Sequence, residues 1–119
     1  MTEKDFRWNR FIEEICYRDT DSLSAVQKNA VLCFWYDTEM QSGGHSGYFD
    51  NCPDIVSREL IDAIMAVGCK AIADNYQKAL KDGEKDGWVQ TDDTYYAFSP
   101  SLLHCLMEYV ESNRDVIFN

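Results

Sequence analysis

Glu39, His45, Asp50 and Cys52 fall in one short stretch and supply the residue types that an acid, a base, a metal ligand and a thiol nucleophile would need. Their spacing does not follow any pattern such chemistry uses. His104 stands in a separate segment, and Cys16, Cys33, Cys52, Cys69 and Cys105 form no Cys-x-x-Cys pair. There is no helical zinc motif, phosphate loop or nucleophile elbow. We therefore expect no metal site and no cofactor, and a small hydrolase or metal-dependent enzyme is the weaker reading.

The carboxylates are a second set of candidates. The 119-residue chain holds 21 acidic and 11 basic residues, a formal net charge of −10. Direct binding to nucleic acid or to an anionic membrane is disfavoured, because both would repel it; the sign favours a basic protein partner. Glu59 with Asp62, and Glu108 with Glu111 and Asp115, share helix faces at three- or four-residue spacing, while Asp82, Glu84, Asp86, Asp92 and Asp93 cluster further along. The competing reading is an ordinary solvated surface, since Lys81 and Lys85 are interspersed.

The elements that must position these groups are helical, with 45% hydrophobic residues and 13% aromatics, enough for one packed domain spanning residues 1–119. Thr2 caps a first helix to about Tyr17, with Trp8, Phe11, Ile12 and Ile15 on one stripe. Ser22 is expected to cap a second helix, Leu23 to about Met40, whose run from Ala30 to Tyr36 is apolar all round and predicts a central helix with Trp35 buried. Gly43 and Gly44 should end it. A third helix opens at Pro53 or Asp54 and stops at Gly68, and a fourth runs from Cys69 to Lys81. Residues 82–92 read as an irregular exposed loop, with a short hairpin as the alternative. A short helix reaches Phe98, and Ser99-Pro100 opens the last one, with Val116-Ile117-Phe118 folding back over the bundle. The result is an all-α bundle of about five to seven helices. Cys16, Cys33 and Cys69 lie in apolar patterns and should be buried thiols of a reducing, cytoplasmic compartment; no signal peptide or membrane span is seen.

One order of features is more specific: Glu39, then Gly43-Gly44, then Tyr48-Phe49-x-Asn51, then a helix closing in Val67-Gly68, followed by Asp93-Thr94-Tyr95-Tyr96 and Tyr109-Val110. In this the chain resembles a family of small, acidic, helical bacterial proteins named for a DNA-mimic member. Ser42, His45 and Gly47 stand where that family usually has Asn, an aromatic and Gln. The resemblance implies an all-α fold, allows a homodimer, and implies carboxylates presented to a DNA-binding protein in place of phosphates. The expected function is thus a non-catalytic protein-binding domain whose partner is a basic DNA-binding regulator, with an immunity or toxin-neutralising role as the alternative. The segment from Gly43 to Asn51 is either a binding surface or a structural turn.

Overall fold

The computed structural model describes residues 2–118, and within them seven α-helices and no strand. Helix α1 (Glu3–Arg10) starts at a reciprocal capping box: the Thr2 hydroxyl accepts from the Asp5 amide, and the Asp5 carboxylate accepts from the Thr2 amide. A π-helical turn, Phe11–Ile15, continues it and places Phe11 and Ile15 in the core. After a 3-10 turn (Thr20–Ser22), α2 (Ala25–Asn51) crosses the molecule. Then come α3 (Ser57–Ala66), α4 (Lys70–Asp82), a 3-10 turn (Gly83–Asp86), α5 (Val89–Ala97), α6 (Leu102–Ser112) and α7 (Arg114–Ile117).

The central position of α2 follows from its composition. A helix apolar on every side must be surrounded, and α2 packs against α3, α5, α6 and α7. Ala30, Cys33, Tyr36 and Met40 have no exposed surface. The fully buried aromatic of this run is Tyr36, not Trp35. Trp35 is half-buried, its indole N–H donates to the Cys16 carbonyl at 3.0 Å, and Tyr17 packs edge-on against it. The other helices each turn one stripe inward, Leu60, Ala63 and Ile64 from α3 and Ile72, Ala73 and Tyr76 from α4. Ile117 of α7 closes the bundle, and its carbonyl accepts from the buried Gln27 amide at 2.7 Å.

Several boundaries differ from the sequence reading for local reasons. Ser24, not Ser22, caps α2, because Gln27 completes a capping box with it. Gly43 and Gly44 do not end the helix; residues 45–51 resume it, and α3 starts only at Ser57. Residues 82–92 are neither an irregular loop nor a hairpin. A 3-10 turn leads into α5, whose first turn is fixed by the Asp86 carboxylate accepting from the Gln90 amide. Helix α6 is capped by Ser101, whose hydroxyl accepts from the His104 amide, two residues later than Ser99-Pro100 implied.

Candidate functional site

The break in α2 is where most of the singled-out residues meet. Gly44 has φ 65° and ψ −164°, a conformation outside the helical region and costly for any residue with a Cβ. The chain there forms two helical halves, and the second opens with amides that have no partner on its own axis. Asp92, on α5, supplies one. Its Oδ1 accepts from the His45 backbone N–H at 3.0 Å and from the imidazole Nδ1 at 2.7 Å. Nδ1 therefore carries a proton, and Nε2, 2.7 Å from the Tyr36 hydroxyl, accepts from it. An Asp92–His45–Tyr36 chain, with His45 and Tyr36 buried and Asp92 partly so, thus clamps the second half of α2 onto both α5 and the first half of α2.

The resemblance motif surrounds this clamp. Glu39 accepts from the Asn51 side-chain amide at 2.8 Å, bracketing the break from both halves of α2. Tyr48 is buried against Tyr36 and Tyr76, and Phe49 stacks on His45. Gly43 is exposed, Gly44 is buried, and Gly68 turns the chain out of α3 with φ 98°. The aromatic pair is thus plugged into the bundle, as a structural role for this segment requires. Its form is a kink inside a continuing helix, not a turn between helices.

Glu39, His45, Asp50 and Cys52 do not converge. His45 has no exposed surface and both ring nitrogens are engaged, Glu39 is occupied by Asn51, and Asp50 points into solvent. The Cys52 thiol is held above its ordinary value by burial and by the Glu39 charge, the opposite of an activated nucleophile. Cys16 and Cys69 are pushed up to about 12 by burial. Among the described residues no group of three His, Cys, Asp or Glu side chains is placed to hold a metal ion.

Burial also holds the His45 imidazole below its ordinary value, against the opposing pull of Asp92. A depressed value means that, as pH falls through the ordinary imidazole value of about 6.5, the unfolded chain takes up a proton that the native chain refuses. The contribution of His45 is thus fully present above about pH 6.5 and is lost toward the lower folded value, by at most about 1.4 kcal/mol per pH unit. Melting temperature should fall between pH 7.5 and 5.5, and the His45 ring should take up its proton at lower pH than a free histidine. A melting temperature constant over that range would contradict this assignment.

The candidate carboxylates divide by their partners. Glu108 pairs with Lys4, and Glu111 with Arg7, so the α6 face is neutralised by α1. Glu59 lies 3.1 Å from Lys28, Asp62 3.1 Å from Arg58, and Asp82 3.2 Å from Lys85. Asp86 serves the start of α5 and Asp92 the clamp, while Glu84, Asp93 and Asp115 are exposed. Sequence reasoning missed Asp37, which is buried and accepts from the Tyr95 hydroxyl. It also missed a gap in the cations: no Lys or Arg lies in residues 29–57 or in residues 86–113. The two stretches come together where the clamp joins α2 to α5. Tyr96, half-exposed there, donates to the Met40 carbonyl, and burial together with Asp92, Asp37 and Asp93 raises its hydroxyl above the ordinary range.

The fold and this junction define an acidic, all-α protein built on a broken central helix whose second half is clamped by α5. Residues 21–113 match the family model described as DMP19-like protein, and the chain belongs to that family. No curated protein and no solved structure matches it. No helix among the described residues is long and apolar enough to cross a membrane.

Proposed function

We propose that this protein is a non-catalytic binding domain that offers carboxylates to a basic DNA-binding protein in place of DNA phosphates. Its family is named for a DNA mimic, which supports a protein partner and disfavours contact with nucleic acid itself. The observation that carries the reading is that two stretches without Lys or Arg, residues 29–57 and 86–113, meet where α5 clamps α2, while Lys78 and Lys85 lie beside Gln90 and Thr91 at the start of α5. Elsewhere acids alternate with partners, as at Lys4–Glu108, Arg10–Glu14 and Lys70–Asp74. Around the break, Glu39, Asp50, Asp92 and Asp93 have no Lys or Arg within their own segments. A one-signed region of this kind attracts cationic surfaces and steers their approach.

The test is capture from a native lysate at low salt, followed by stepwise salt elution and by competition with duplex DNA. A basic DNA-binding protein should be retained, released as salt rises, and displaced by DNA. Asp50→Asn with Asp93→Asn should weaken retention by roughly an order of magnitude, because exposed charge pairs contribute up to about 1 kcal/mol each. Glu108→Gln with Glu111→Gln, on the neutralised face, should change it little. Retention indifferent to salt and DNA would sink the proposal.

A further inference from the structure

Beside the α2–α3 connection lies an apolar cavity of about 270 Å³, walled by Val31, Leu32, Trp35 and Ile55 with Asn51 and Asp54 at its polar edge. It sits below the roughly 300–1,000 Å³ that drug-sized ligands occupy, and is suited to one large side chain. The Trp35 ring is fixed by the bond from its N–H to Cys16, and Tyr17, 72% exposed, stands edge-on to it at 5.3 Å, carrying apolar surface outward. Val56, 57% exposed, adds to it next to Ile55.

The surroundings of the cavity have one dominant sign. Asp54 is in the wall, Glu39 holds the wall residue Asn51, and Asp50 precedes it. Thr20, which also lines the cavity, lies between Asp19 and Asp21; of the cations near the wall residues along the chain, Lys28 is paired with Glu59 and Arg58 with Asp62, which leaves Arg18, outnumbered by these acids. We propose that this cavity receives a single apolar or aromatic anchor side chain from a lysine- or arginine-rich segment of a protein partner. The argument is charge complementarity around an apolar socket, the arrangement in which one buried anchor dominates an interface while the charged rim sets orientation and rate. The inference rests on the proposed function for the basic character of the partner and adds a second requirement, an apolar anchor.

Two short lysine-rich peptides test it, one with a central Phe and the other with Ala in its place, titrated into the full chain while amide and indole NMR resonances are followed. The Phe peptide should bind roughly ten- to hundredfold more tightly. It should move the Trp35 indole, Asn51 and Ile55 signals, and Asp54→Lys, an exposed substitution, should reduce the affinity without lowering the melting temperature. Equal affinities, with shifts confined to Asp93 and Tyr96, would overturn the socket and leave the acidic junction standing. Failure of both peptides to bind would overturn both. Groove shifts that grow with protein concentration alone would assign the surface to a second copy of this chain, and shifts produced by free indole but not by the Phe peptide would assign it to a small apolar ligand; either overturns the socket.

Discussion

Gly44→Ala is expected to cost about 3 kcal/mol or more, a large share of the roughly 5–15 kcal/mol that stabilises a domain of this size. Two effects combine. At φ 65° and ψ −164° a side chain is strained wherever it points, by about 1–3 kcal/mol. A Cβ on Gly44 would also lie 2.9 Å from the Asp92 carboxyl carbon, closer than such atoms approach. Asp92 cannot swing aside without releasing the His45 amide and imidazole, leaving buried donors unmet at about 1–3 kcal/mol. Urea denaturation of the two proteins measures the difference. A loss under about 1 kcal/mol would mean that α2 can pass through residue 44 as an unbroken helix.

Gly83→Ala should be nearly as damaging, by about 2–4 kcal/mol, through overpacking instead of backbone strain. A Cβ at this position would lie 2.5 Å from the Trp88 indole nitrogen. That ring is not free to yield. Its N–H donates to the Ala79 carbonyl at 3.1 Å, it packs tilted against Phe49 with ring centroids 5.7 Å apart, and its backbone amide donates to the Gly83 carbonyl at 2.7 Å. Trp88 itself sits at φ 64°, so the corner between α4 and α5 has few other conformations to adopt. Because that corner aims α5, the variant should also disturb the near-ultraviolet signal of the aromatic cluster around His45. An unchanged denaturation midpoint would show that the ring moves away cheaply.

The helices were legible where information is local. The stripes of α3 and α4 repeat within a few residues, and the capping box at Thr2 and Asp5 is written in adjacent positions. Gly43-Gly44 was visible as a break, but whether the helix stops or resumes depends on Asp92, 47 residues from His45. The carboxylates show the same limit. Glu108 and Glu111 look like a free acidic stripe until Lys4 and Arg7, each 104 residues away, are placed beside them. The scarcity of cations in residues 29–57 and 86–113 is readable by counting, whereas the meeting of the two segments is tertiary. His45 looked like a catalytic candidate because sequence gives residue type without burial.

The clamp also has a temporal side. A chain made from its amino end completes Ala25 to Gly43 and the segment after it long before Asp92 exists. Until α5 emerges, the amide of His45 has no cap from this chain and the break in α2 has nothing to hold its angle. Residues 45–51 should then be the last part of the central helix to settle, so a nascent chain halted before Asp92 should expose the Tyr48–Phe49 pair to chaperones and proteases that the finished protein excludes.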